Sequence, residues 1–251
     1  MRTPDSTVSL GDHVVVAGLC LSYERWGQKV KALDNVTFSV PRGQWLVLVG
    51  HNGSGKSSLL RVLSGMEKPE SGRVTVDGGP IADLAGRKLA ETVFLVHQNP
   101  LRGTAEDLTV FENLMVGDWQ GQTERHSKQA LFVKYEEMLR PFGLEARMKQ
   151  PADTLSGGER QLLALLIAGL RPSSLILLDE PLAALDPVKA AHCRDKIADL
   201  HLTGKTIIQV THEAELAASM GDRTIVLRGG RLAYDALSSH RNIEALRQQW
   251  F

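Results

Sequence analysis

Continuous apolar runs, not alternating ones, mark most of the strand candidates in this chain. Trp45-Leu46-Val47-Leu48-Val49 ends in glycine and reads as a strand covered on both faces. Lys56–Ser64 then carries leucines at helical spacing, giving the local order strand, loop, helix. Further buried strands are expected at Val93–Val96, Leu175–Leu178, Thr206–Val210 and Thr224–Leu227, with helices near Val188–Leu200 and Ala214–Met220. Such interleaving implies a mostly parallel sheet covered by helices, an α/β class. Val14–Leu21 and Val36–Val40 differ: they read as antiparallel strands, separated by the loop-like stretch Glu24–Ala32.

Between Pro100 and about Leu170 the helical period takes over. Thr109–Val116 and Gln129–Leu139 are amphipathic, with no strand candidate between them. The last helix of this stretch is expected to begin after Gly158, to be buried over much of its length, and to stop at Pro172. The expected organisation is therefore one domain over 1–251: an antiparallel β part at about 13–43, a core at 44–98 and 171–235, an inserted helical subdomain at 99–170, and a tail at 236–251 in which Asn242–Phe251 forms a short helix.

Charge narrows the function. Lys+Arg and Asp+Glu number 29 each, so no net field attracts nucleic acid or an anionic membrane. The longest relevant apolar stretch, Leu162–Leu170, is too short to span a bilayer, and no basic-then-apolar leader opens the sequence. Cys20 and Cys193 lack metal-ligand spacing and are expected to be reduced, packed thiols.

Chemistry concentrates in a few short segments. In Gly50-His51-Asn52-Gly53-Ser54-Gly55-Lys56-Ser57-Ser58, glycines let backbone N–H groups converge on an anion, and the loop opens a helix whose N-terminus favours negative charge. Lys56 would neutralise β- and γ-phosphates, and the Ser57 hydroxyl would ligand Mg2+. The alternative is a glycine-rich turn that binds nothing. Asp179 follows four core residues, where a carboxylate is costly without a cation, so a magnesium–nucleotide complex accounts for it. Glu180 comes next and can face elsewhere; the plain alternative for the pair is a strand-end acid capping the following helix. Leu155-Ser156-Gly157-Gly158-Glu159 opens another helix with a hydroxyl and exposed N–H groups, a second anion-receiving arrangement.

These three elements in this order resemble the ATPase subunit of ABC (ATP-binding cassette) transporters, over about residues 13–235. The resemblance implies a P-loop NTPase core that binds and hydrolyses ATP with Mg2+. It makes Glu180 the general base, and His212, after Thr211, the switch histidine that contacts the γ-phosphate and the attacking water. It makes Gln98 the glutamine that approaches Mg2+ and water, and Tyr23, 27 residues before Gly50, the aromatic that stacks on adenine; Trp26 competes for that last role. Ser156, Gly157 and Gly158 would clamp the ATP held by a second subunit, so activity requires a dimer of ATPase subunits. Ala183-Ala184-Leu185-Asp186 matches the segment that crosses the dimer seam, although Asp186 before Pro187 also suits a helix N-cap. Two positions depart from the family: Glu159 stands where glutamine is commoner, and Ala183 where serine is usual.

With no spanning helix, transport would need separate integral-membrane permeases, docked near Gln98 and the helical insertion. The chain would then sit at the cytoplasmic face of the inner membrane, with an extracytoplasmic solute-binding protein among the partners this allows. Gln98–Asn113 is similar to a bacterial subgroup of import ATPases whose permeases are akin to the branched-chain amino-acid type, which points to an amino-acid-like or other small organic solute. The alternative is a non-transport ABC ATPase docking soluble partners, of the iron–sulfur assembly type. A lone P-loop kinase or switch GTPase is disfavoured by residues 155–159.

Overall fold

The computed structural model describes residues 12–25, 27–119 and 126–240, so the tail helix expected over Asn242–Phe251 and the rival ring of Trp26 lie outside it. Two compact units emerge. The first gathers the chain up to Leu95 with Ser174–Glu180 and the chain from Gly204; the second comprises Val96–Ser173 and Pro181–Thr203.

The first unit holds two sheets. Strands β1 (Val14–Arg25) and β2 (Gln28–Val40) form an antiparallel hairpin, and β1 also pairs with β4 (Ser71–Val76), which pairs with β5 (Gly79–Pro80). The loop expected at Glu24–Ala32 is instead ladder, with Tyr23 opposite Val30 and Glu24 opposite Lys29, turning at Gly27. Polar Lys and Gln side chains occupy the exposed end of the hairpin, so the apolar signal fades while the ladder continues.

The larger sheet has the order β10-β9-β3-β8-β7-β6, with β3 (Trp45–Val49), β6 (Val93–Val96), β7 (Leu175–Asp179), β8 (Thr206–Thr211), β9 (Arg223–Arg228) and β10 (Arg231–Leu237). β3, β7, β8 and β9 run parallel, β10 antiparallel. Every residue of β3 and β8 is buried, as the unbroken apolar run of β3 requires and as β8 achieves with Thr206, Gln209 and Thr211 among its members. The interior amide of β8, Gln209, takes a 3.1 Å hydrogen bond from the Trp45 indole N–H. Helix α1 (Lys56–Leu63) sets Leu59, Leu60, Val62 and Leu63 into a core shared with Val14, Phe38, Leu46, Leu48, Leu177 and Ile208. Helix α2 (Gly86–Thr92), β4, β5 and β10 were not expected; each is short or mostly exposed and shows no periodic run.

Register does the functional work. Val49 lies opposite Thr211, and Asp179 opposite Val210, so β3, β8 and β7 end together at one sheet edge. Their following residues, Gly50, His212 and Glu180, leave that edge side by side, at the carboxyl ends where open α/β sheets bind ligands.

At the opposite end of β8, buried His13 is held by the Thr206 hydroxyl, 2.6 Å from Nδ1, and the Ser174 hydroxyl, 3.0 Å from Nε2. Burial pulls the His13 pKa below its usual value; Asp77 opposes and Arg42 adds to the drop. The group is thus neutral when folded and protonates more readily when unfolded, so its stabilisation is complete above about pH 6.5 and is lost as pH falls below it. His13→Gln should therefore flatten the acid loss of stability, by up to about 1.4 kcal/mol per pH unit, in urea titrations at pH 7.5 and 5.5. An unchanged slope would remove His13 from that account.

The second unit is helical: α3 (Val110–Gly117), α4 (Lys128–Leu139), α5 (Gly157–Leu170) and α6 (Pro187–Leu202). Helix α5 buries Leu162–Ala168 without a break, as expected of its all-round apolar run. Asn113 ties the turn before α3, donating to the Ala105, Leu108 and Thr109 carbonyls and accepting from the Ala105 N–H. Buried Asp118 accepts from the Tyr135 hydroxyl at 2.9 Å and from Lys134 Nζ at 2.6 Å, which compensates its charge. Cys193 is buried in α6 and Cys20 half-buried; both are free thiols, and burial pushes Cys193 up to about 12.

Candidate nucleotide site and helix-start signature

Gly50 and Gly55 are glycines for steric reasons. A Cβ at 50 would lie 2.2 Å from the Leu227 carbonyl oxygen, and one at 55 would lie 2.3 Å from that of Ala32, with Gly55 at φ +104°. The chain between them, through His51, Asn52, Gly53 and Ser54, therefore turns tightly into α1. No side chain caps that helix, which leaves its leading N–H groups to an anion. Lys56 is buried and donates to the Gly50 carbonyl at 2.7 Å and the His51 carbonyl at 2.9 Å, bracing the loop. Burial lowers its pKa, while Glu180 and Asp179 pull the other way. The Ser54 hydroxyl is buried with no hydrogen-bond partner among the described residues. Ser57 is exposed and Ser58 half-buried on the first turn.

Asp179 ends β7 half-buried, and its pKa is raised by burial first and by Glu180 second, with Lys56 opposing. Glu180 adopts φ +48°, a left-handed conformation strained for a residue with a Cβ. Its N–H donates to the Val210 carbonyl at 3.2 Å, and its Oε2 lies 3.1 Å from His212 Nδ1. Adjacent carboxylates thus part company: Asp179 stays in the sheet's register while Glu180 turns to the histidine after β8. The strain is confined to the residue whose direction must change, as is common at working sites.

Tyr23 is half-buried in β1 against the core, and its hydroxyl reaches Glu67 Oε2 at 3.5 Å, a partner that sequence reading missed.

In the second unit, Gln98 is exposed in the bend after β6, and neighbouring His97 is half-buried. Ser156 is the N-cap of α5 and forms a reciprocal capping box with Glu159: the Ser156 N–H donates to Glu159 Oε2 at 2.7 Å, and the Glu159 N–H to Ser156 Oγ at 3.4 Å. The Glu159 carboxylate is thus engaged by its own helix start, a role that glutamine would also fill. Burial alone would raise the Glu159 pKa, but the Ser156 hydrogen bonds, with Arg147 and Lys189, hold it below the usual range. Gly157 is exposed and Gly158 buried. Asp186 is the N-cap of α6 and accepts from the Lys189 N–H at 3.0 Å, with Pro187 at the first helical position. Ala184, within the same segment, sits at φ +59°. Lys189 also donates from Nζ to Ser156 Oγ at 3.0 Å. No sequence signal could have joined two residues 33 positions apart.

A glycine-built loop, a carboxylate pair and a histidine thus meet at one sheet edge. The model of the ABC transporter family matches residues 33–183. The phosphonates import ATP-binding protein of Rhizobium etli is 31% identical over 234 residues, covering 89% of this chain and 82% of its own length. The tyrosine transport ATP-binding protein of Clostridioides difficile is 34% identical over 217 residues, covering 84% and 86%. Among solved structures, a dimeric ATP-binding cassette in a post-hydrolysis state, bound to ADP and Pi, superposes with a TM-score of 0.79 at 26% identity, over 91% of this chain and 99% of that one. This chain therefore belongs to the ABC transporter family, as an ATP-binding, ATP-hydrolysing subunit.

Proposed function

We propose that two copies of this chain close around two ATP molecules, each lending Gly50–Ser58 to one nucleotide and Ser156–Gly158 to the other. Closure would drive import of a small, amino-acid-like or other organic solute through separate integral-membrane permeases. The observation that carries this reading is the presence in one chain of two lysine-braced, glycine-flanked helix starts, at Lys56 and Gly157. A single triphosphate needs only one of them.

Within the first site, Mg2+ suits the residues present: a half-buried carboxylate with a raised pKa, Asp179, and an exposed hydroxyl at the helix start, Ser57. A dication would return Asp179 to its ionised form and neutralise phosphate charge. Glu180 accepts the proton of the attacking water, and His212 holds its carboxylate in direction from Nδ1. Tyr23 is the proposed adenine platform, anchored through Glu67. Asp186 and Ala184 face the partner copy.

Gln98 and the helical segment that follows it are the proposed permease contact. Among the described residues no helix is long and apolar enough to cross a membrane, in keeping with a peripheral place at the cytoplasmic face of the inner membrane. Phosphonates and tyrosine, the cargoes in the names of two relatives, are small polar organic solutes, which favours a cargo of that class and, with import, an extracytoplasmic solute-binding protein.

Mixing Ser156→Arg chains with Lys56→Ala chains tests the shared geometry. Half the dimers would be mixed and each would keep one whole site of two, so equal mixing should restore about a quarter of wild-type turnover. Phosphate release no greater than either variant alone would defeat the sandwich.

A further inference from the structure

A cavity of about 110 Å³ opens at the end of α1 away from the Gly50–Ser57 loop, between the chain that follows that helix, β4, β5 and the 3-10 turn Ile81–Asp83. Its wall is largely apolar: Val62, Val74 and Ile81 are buried, and Leu84 packs beside them. Two lining glycines hold it open. Gly65 sits at φ +73° and Gly72 at φ +82°, and a Cβ at 72 would lie 2.3 Å from the Gly18 carbonyl oxygen. The space is therefore set by backbone that larger residues at these two positions could not adopt without strain.

Charged residues of both signs share this wall. Lys68 and Arg73 are exposed, and neither side chain has a hydrogen-bond or ion-pair partner among the described residues. Glu67 is half-buried; its Oε2 accepts from the Tyr23 hydroxyl at 3.5 Å and lies 3.9 Å from Arg61, while its Oε1 has no partner among the described residues. An occupant thus meets two unpaired cations and one open carboxylate oxygen beside an apolar surface. A free α-amino acid carries the complementary set: a carboxylate for the Arg73 fork and for Lys68, an ammonium for Glu67, and a side chain for the apolar wall. Size limits that side chain. At about 30 Å³ per water-sized group, the cavity takes roughly four heavy atoms, enough for an isobutyl group and too few for a benzyl group.

We propose that this cavity binds a free aliphatic α-amino acid of about valine or leucine size, its side chain against Val62, Val74 and Ile81 and its charged end among Glu67, Lys68 and Arg73. The wall reads a carboxylate and an ammonium on the same small molecule. A peptide end offers only one of the two, because its other group is an amide, so the free amino acid is the ligand that satisfies both.

Isothermal titration calorimetry of the full chain with L-leucine tests this. One molecule should bind per chain with a Kd on the order of 0.1–1 mM, the range open to so small a ligand. Leucinamide, which lacks the carboxylate, 4-methylpentanoate, which lacks the ammonium, and phenylalanine, which is too large, should each bind about tenfold more weakly or worse. Arg73→Met and Lys68→Met keep the aliphatic stems and remove the charges; each should weaken leucine binding, and together they should do so about tenfold or more. Lys68 lies outside the strands, so Lys68→Met alone carries the test should Arg73→Met fail to fold by circular dichroism. Absence of binding heat up to about 10 mM leucine overturns the proposal. So does leucine affinity that survives loss of the charges, which would place the ligand elsewhere, or equal affinity for leucinamide or 4-methylpentanoate, which would mean that one of the two charges is not read.

Discussion

Glu180→Gln is expected to cut ATP turnover by roughly 10²–10⁴-fold, the usual worth of a positioned proton acceptor, while ATP binding stays at its wild-type level. The substitution is nearly isosteric and leaves the left-handed backbone at φ +48° with the same side-chain branching. Glutamine can still meet His212 Nδ1, now 3.1 Å from Glu180 Oε2, through its amide oxygen. What it cannot do is take a proton from water. The variant should therefore hold ATP without consuming it and accumulate as a dimer on gel filtration with ATP but not with ADP. Asp179, although adjacent, cannot substitute, because it remains in the β7 register opposite Val210, while the turn at Glu180 is what brings a carboxylate to the histidine. Hydrolysis at the wild-type rate would assign the proton to another group.

The sheet edge that builds this site is legible from residues because its strands are buried on both faces and so spell continuous apolar runs. Trp45–Val49, Leu175–Leu178 and Thr206–Val210 could be placed within a residue, and each run ends at the chemistry that follows it. Strands exposed on one side left no such mark: β10 alternates only weakly, and the hairpin end around Gly27 is polar. Side-chain facts that need a third dimension were also illegible. Glu159 looks out of place beside phosphates until its capping bond to the Ser156 N–H is seen, and Lys189 gains meaning only through a contact across two helix starts. The positive φ of Glu180 likewise follows from a turn that no residue type there announces.

Lys56→Ala is the second large expectation: affinity for ATP should fall roughly 10- to 100-fold, the loss of one or more charged hydrogen bonds to phosphate. The argument does not rest on the lost contact alone. Lys56 Nζ now spans the Gly50 and His51 carbonyls, so its removal leaves the turn between two sterically obligatory glycines without its brace. It also supplies the charge that opposes the upward shift of Asp179, so without it that carboxyl rises further and binds a dication less well at a given pH. The defect should accordingly be greater at about pH 5 than at about pH 7.5 when nucleotide binding is followed with Mg2+ present, because only toward the lower value does a carboxyl shifted up from its ordinary range begin to protonate. A variant with wild-type affinity at both pH values would mean that the loop holds phosphate by backbone N–H groups alone, with the lysine serving only the carbonyls it touches in the structure.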